Sequence, residues 1–426
     1  MLVSIKEKLS SLINQGFFHI LLGGTLTKIV AFFSSILIVR FVTKTDYAFL
    51  SYADNIYSYI YLITGFGLDS AVLKYCVTDD KKKNNSYLFL SFKYGTIAEM
   101  VVMFFSLIAF CTFHIPFSGA KLYLFSLLLY PFLYYWCCLL QSYMRARLMN
   151  KEYAKAGIIQ TVLVFLISLG FVFAIGAYSV VVARYISAIL IMVYMLYVIQ
   201  PEIKVKRIKL KKQEKMTFIK FGVSILIANV FSMIMPINEN FLVNNLIKDT
   251  VVSANYKVAN LFPQQLTFLT SAIITFYFPY FAKMKKSREI KKKAFKVGLL
   301  TFFSILIVTV IGIFISPVII HIAYGDKYSD INTLMSALWI MHGVNAGLRM
   351  LPMNILPAIG YTKFNAVMSV VACGFHFIID YICIKKYGVN GAVIAGSIVY
   401  LSTAICYWFY LNKKLGERKE VGDEYI

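Results

Sequence analysis

The chain predicts an all-α polytopic membrane protein of twelve transmembrane helices, arranged as two six-helix lobes around a central cavity. Three observations predict it. Apolar residues make up 59% of the 426 positions. They fall in runs long enough to cross a bilayer, and Lys and Arg are concentrated in alternate connections between those runs.

Taken in order, the runs lie at 17–42, 47–73, 87–113, 117–141, 156–176, 178–199, 218–244, 251–279, 297–319, 331–358, 364–384 and 388–411. A helix of about 20 residues crosses the ~30 Å apolar layer of a bilayer, and each run reaches that length. With the two termini on one side, and Arg40, Lys121 and Lys220 at run ends counted with their adjoining connections, 31 of the 43 Lys and Arg fall in the tails and connections on that side, 7 in the opposite connections and 5 deep within runs. The clusters Lys81–Lys83, Arg145–Lys155, Lys204–Lys220 and Lys283–Lys296 all follow an even-numbered run. Eleven or thirteen spans would scramble this pattern. The positive-inside rule therefore predicts cytoplasmic termini.

The sorting also accounts for the net charge of +23. Basic loops at the inner leaflet meet anionic headgroups, and the apolar content leaves no room for a separate nucleic-acid-binding domain.

In the first run, Lys6 and Lys8 precede the apolar stretch as they would in a signal peptide. The stretch continues to Val42 without a small-residue cleavage site, so it reads as a retained span. Gly23-Gly24, and Gly65 with Gly67 in the second run, permit close helix contact. Asn84-Asn85-Ser86 matches a glycosylation acceptor, but the charge rule places it in the cytoplasm, where the match is accidental. The seven cysteines lie in or beside apolar runs without a C-x-x-C pair and read as small packing residues.

The longest basic connection, 204–217, separates a predicted N-terminal lobe, 1–203, from a C-terminal lobe, 218–426. The halves show ordered similarity at an offset of about 204: Phe41–Asp46 faces Asn245–Thr250, and Ser51–Ala53 faces Asn255–Lys257. Near the lobe ends Arg147–Ala156 faces Ala358–Val367. Six spans per half make this a parallel duplication about an axis along the membrane normal. Pro236, Pro263, Pro352 and Pro357 lie inside predicted spans, where each removes a backbone hydrogen bond and permits a bend.

Four segments carry a family resemblance. Arg40–Tyr47 resembles an Arg-Phe-Leu run leading to Glu-Tyr-Gly after span one, with Ala48 in place of the glycine. Gly65–Tyr75 is similar to the segment closing span two. Tyr324-Gly325-Asp326-Lys327-Tyr328 resembles a Phe-Gly-x-x-Tyr connection between spans nine and ten. Lys386–Ala392 resembles the Gly-x-x-Gly-Ala turn entering span twelve. In this order, over nearly the whole chain, they resemble the Wzx-like polysaccharide (O-antigen or capsule) flippases of the multidrug/oligosaccharidyl-lipid/polysaccharide (MOP) exporter superfamily. The resemblance implies a MATE-like fold in the bacterial plasma membrane and movement of undecaprenyl-diphosphate-linked oligosaccharide from the cytoplasmic to the outer leaflet. It also implies work alongside a glycan polymerase and glycosyltransferases. Lipid II flippases share the chemistry but resemble fourteen-span chains.

Ionisable groups within spans point to function, because each costs on the order of 2.5–3.5 kcal/mol at the bilayer centre. Lys28, Arg184, Lys257 and Arg349 are predicted to line the cavity as cations that offer successive charge-assisted contacts to a diphosphate. Lys93 reads as a snorkelling anchor, and Asp69 and Asp380 as interfacial. Glu239, Asp54 and Glu99 are candidate coupling carboxylates. Glu239 stands out because Asn238, Asn240, Asn244 and Asn245 add amide oxygens beside its carboxylate on a helix that Pro236 kinks, suited to H+ or Na+. The competing expectation pairs the cations with Asp54, Glu99 and Glu239 as structural ion pairs. Tyr52, Tyr57, Tyr59 and Tyr61 suit helix packing and interfacial belts, or sugar stacking.

No cofactor or metal motif is present, and no P-loop, G-x-S-x-G or H-E-x-x-H occurs, so an enzyme is not predicted. The alternative function is a cation-coupled, MATE-like multidrug exporter, against which the several intramembrane cations weigh.

Overall fold

The computed structural model describes residues 17–284 and 286–417, and every regular element among them is helical. Lys6 and Lys8 lie outside the described residues.

The chain divides into two compact units, 1–230 and 231–426. The first contains α1 (Phe17–Phe41), α2 (Lys44–Leu62), α3 (Leu68–Tyr75), α4 (Lys81–Thr112), α5 (Ala120–Ser126), α6 (Tyr130–Ala146), α7 (Asn150–Ile175) and α8 (Tyr178–Ile203). Helix α9 (Lys212–Ile247) runs across the division. The second unit continues with α10 (Thr250–Asn260), α11 (Leu266–Lys283), α12 (Ser287–Tyr324), α13 (Asn332–Val344), α14 (Met350–Ala358), α15 (Thr362–Tyr387) and α16 (Val389–Glu417).

All twelve predicted runs coincide with helix. Among the described residues eight helices are long and apolar enough to cross a membrane, and nine if α5 and α6, bent by 48°, form one broken span. The runs at 251–279 and 331–358 are interrupted by short turns, and the run at 218–244 carries the polar stretch Asn238–Asn245. Within the first unit α1 packs on α7, α7 on α8, and α6 on α3, α4 and α8. Within the second, α15 packs on α16, α12 on α13, α11 on α14, and α13 on α16.

The duplicated sequence produces duplicated starts. Thr43 caps α2 by accepting from the Asp46 amide at 3.0 Å, and Asp249 caps α10 by accepting from the Val251 and Val252 amides at 2.7 and 3.0 Å. Each helix is then broken by a 3₁₀ turn, at Thr64–Gly67 and Pro263–Gln265. The first break has no proline. It turns instead on left-handed backbone at Gly65 (φ 55), Phe66 (φ 50) and Gly67 (φ 71).

The glycosylation-like triplet serves the fold. Asn84 is fully buried with its amide on Thr78 O, while Asn85 Nδ2 donates to Ile203 O and Val205 O and Ser86 Oγ to Ile208 O. These contacts hold the basic connection against α4. Lys83 adds an ion pair to Glu214 at 2.7 Å. The Lys83 ammonium, with the Lys211 amide, holds the Glu214 carboxyl below the usual carboxylate range. A depressed pKa gives stability present above the unfolded-state value and lost as pH falls through the folded one. Hydrogen exchange over 204–214 is therefore expected to rise, beyond its intrinsic pH dependence, as pH falls below the ordinary glutamate range. Glu214→Gln should show the same loosening at neutral pH, and unchanged exchange in that variant would disprove the tie.

Candidate functional site

A buried group of ionisable side chains forms where four helices of the second unit meet. Helix α9 places Glu239, 3% exposed, in its polar stretch. Tyr256 of α10 donates its hydroxyl to Glu239 Oε1. His376 and Asp380 stand one turn apart on the same face of α15, each fully buried. His376 Nε2 lies 3.7 Å from Glu239 Oε2, and Nδ1 lies 3.1 Å from Asp380 Oδ2. The Tyr400 ring of α16 stacks on the imidazole at 6.1 Å.

This arrangement cannot hold two bare carboxylates. Unpaired charge out of water is too costly, so a proton or cation must join the group. The imidazole sits between the acids and reaches each through a different ring nitrogen. A neutral ring donates one N–H and a protonated ring two, so adding or removing one proton changes which acid is partnered. Neither ring nitrogen and neither Asp380 oxygen has a well-aligned hydrogen bond.

Arg349 stands beside this group through an irregular backbone. Between α13 and α14 the chain forms a π-helical turn, Asn345–Arg349. Pro352 has no N–H to give the Leu348 carbonyl four residues back, and Trp408 Nε1 of α16 donates to that carbonyl instead at 2.9 Å. The half-buried Arg349 guanidinium donates to Asn345 Oδ1 at 3.1 Å and lies 5.5 Å from the Tyr400 ring, while its Nε has no hydrogen-bond partner. Nearby His342 Nε2 meets Asn260 Oδ1 at 2.6 Å.

In the first unit Arg184 of α8 grips Asp54 of α2 with two hydrogen bonds, at 2.5 and 2.8 Å. Tyr61, Tyr130 and Tyr134 form an aromatic group around this helix pair, with Tyr61 and Tyr134 rings 4.5 Å apart. Glu99, fully buried, accepts the Gly65 amide at 2.6 Å at the turn between α2 and α3, and its second oxygen has no partner.

The predicted site residues thus separate into several places. Arg184 and Asp54 come together. Glu239 meets Tyr256 and His376, with Lys257 near enough to act on its charge. Arg349 approaches that group through Tyr400. Glu99 ties down a backbone break, and Lys28 is exposed on α1. Lys93 is exposed as well. Asp380, predicted as interfacial, is instead fully buried, with Oδ2 3.1 Å from His376 Nδ1 on the same helix. His376 is the central residue that sequence reasoning missed. Its signal was present as the His–Asp pair at i and i+4.

Comparisons with known proteins agree with this architecture. The family described as Polysaccharide biosynthesis protein matches residues 13–285. A Shigella flexneri protein named as an O-antigen transporter is 28% identical over 244 residues, which cover 56% of this chain and 58% of that protein. The chain therefore matches somewhat more than half the length of that relative. The lipid II flippase MurJ in an inward closed conformation superposes with a TM-score of 0.76 at 17% identity, covering 92% of this chain and 87% of that one. An outward-facing multidrug resistance MATE transporter of the MOP superfamily gives 0.65 at 13% identity, with 96% of each chain covered. A MOP superfamily transporter from Pyrococcus furiosus gives 0.63 at 13%, covering 95% of each. These likenesses establish the fold as that of the MurJ and MATE transporters.

Proposed function

The chain belongs to the polysaccharide biosynthesis protein family, and from that premise we propose that it is a flippase. It carries an oligosaccharide linked to undecaprenyl diphosphate from the cytoplasmic to the outer leaflet of a bacterial plasma membrane, by alternating access coupled to a cation. Both termini face the cytoplasm, as the distribution of Lys and Arg argues. A glycan polymerase and glycosyltransferases supply and consume the glycan. The protein carries out no covalent chemistry of its own.

The observation that carries this reading is the buried Glu239–His376–Asp380 group. A static helix bundle gains nothing from three titratable side chains in its interior, whereas a transporter needs a site whose occupancy biases one conformation over another. The relay-like order of acid, imidazole and acid favours H+ as the coupling ion. Among the described residues no three His, Cys, Asp or Glu side chains converge as a metal would require, and the ring keeps the two acids from closing on one ion. Arg184, Arg349, Lys257 and Lys28 are the donors for the diphosphate in transit, and exchange of these contacts avoids one over-tight site.

Complementation of a flippase-deficient strain tests the function, with surface glycan as the readout, membrane abundance as the control and drug efflux as the alternative activity. Within that assay Arg184→Gln separates two roles. If Arg184 binds substrate, glycan export falls about tenfold and adding Asp54→Asn does not restore it. Restoration by the double variant would make the pair structural.

A further inference from the structure

We infer that the basic first turns of α12 form a binding site for an anionic glycerophospholipid, with its phosphate held by Lys292, Lys293 and Lys296 and its acyl chains along Leu300 and Phe303. The site is a cavity of about 530 Å³ whose lining includes these three lysines, Tyr277, Glu289 and Leu300. Lys293 is held 5.7 Å from the Tyr277 ring and 4.9 Å from the Tyr280 ring, which fixes its ammonium at the cavity wall.

Charge balance calls for an anion. Lys292 and Lys296 are one helical turn apart on one face, a spacing at which like charges destabilise a helix. Among the described residues the one acid lining the cavity, Glu289, lies 3.8 Å from a fourth cation, Lys286. None of Lys292, Lys293 or Lys296 forms an ion pair among the described residues. On the other flank of the same turn a second cavity of about 210 Å³ adds Lys291 beside Trp408 and Asn412.

The apolar half of the site identifies the ligand as a lipid. One and two turns beyond Lys296 on the same stripe of α12 stand Leu300 and Phe303, 51% and 54% exposed. A molecule that joins a phosphate to hydrocarbon satisfies the lysines and this stripe together, whereas free phosphate satisfies the lysines alone. Basic pockets of this kind between membrane helices suit such headgroups. General attraction of basic loops to an anionic leaflet does not require a cavity. The connection holding Lys206, Arg207 and Lys209 therefore provides a control of equal charge.

Native mass spectrometry of the full chain, delipidated and then offered equal phosphatidylglycerol and phosphatidylcholine, tests the site. Retention of phosphatidylglycerol should exceed that of phosphatidylcholine about tenfold. K292Q/K293Q/K296Q should lose most of that preference and K206Q/R207Q/K209Q should keep it. If the lysine triple does not accumulate, Lys296→Glu alone, at an exposed position, should lower the preference about threefold. Equal losses in the two triples would reduce the effect to general charge, and no preference in the native chain would remove the site. Full displacement of phosphatidylglycerol by millimolar inorganic phosphate would assign it to free phosphate instead.

Discussion

Glu239→Gln is expected to lower export of lipid-linked glycan by between about 5-fold and 150-fold, the range that removal of a 1–3 kcal/mol coupling energy produces, while the protein stays at normal abundance in the membrane. The amide keeps the size of the side chain and its contact with Tyr256 but cannot exchange a proton with His376. Asp380→Asn and His376→Phe break the same chain at its other two members and should fall in the same range. Tyr256→Phe removes one hydrogen bond and leaves the acid–imidazole–acid order intact, so a smaller loss is expected. Reconstituted protein with a pH-sensitive dye inside the vesicles measures the proton movement directly. If Glu239→Gln retains more than half of native export and native proton flux, the group is a packing device.

The second large effect concerns stability. Tyr135 is fully buried between two glycines, its hydroxyl donating to Ser91 O at 2.7 Å. A Cβ at Gly95 would fall 1.9 Å from that hydroxyl oxygen, and one at Gly65 would fall 1.9 Å from Cε2 of the ring on backbone already left-handed. The ring is held at its tip and cannot yield. Gly95→Ala should therefore cost roughly 3 kcal/mol, the upper part of the overpacking range, and Gly65→Ala more because of its φ. Thermal unfolding in detergent checks the order: native, then Gly95→Ala, then Gly65→Ala. Adding Tyr135→Leu to Gly95→Ala should recover part of the loss by making room. A Gly95→Ala protein that melts with the native one would contradict this packing.

The parts legible in the sequence are those that depend on the surrounding solvent. Hydrocarbon length and the sorting of Lys and Arg give the twelve runs, since each is a constraint on local composition. Where helices break was less legible. Pro263 opens a turn as expected, yet Pro236 sits inside continuous α9, and the break between α2 and α3 has no proline. It depends on the Glu99 carboxylate, 34 residues away, accepting the Gly65 amide. The turn before Pro352 likewise depends on an indole 60 residues away. The site divides in the same manner. Glu239 is legible because its own neighbours in sequence are polar, whereas His376, with only Asp380 near it in an apolar run, gains its meaning from α9, 137 residues earlier. Arg184 and Asp54 each stand out as charges within apolar runs, but their pairing, across 130 residues, belongs to the fold.

The indole that replaces the missing proline amide also gives the molecule an optical reporter. Of the three tryptophans, Trp136 binds Thr96 in the first unit and Trp339 binds Ser316 in the second, each through an ordinary side-chain contact. Trp408 alone is attached to the carbonyl of an irregular turn that ends in Arg349. Any straightening of that turn would release the indole N–H and shift its emission. A version of the chain with Trp408 as its sole tryptophan, excited selectively at the red edge of the indole band, would show, in real time and without a label, when the backbone beside the buried acids rearranges.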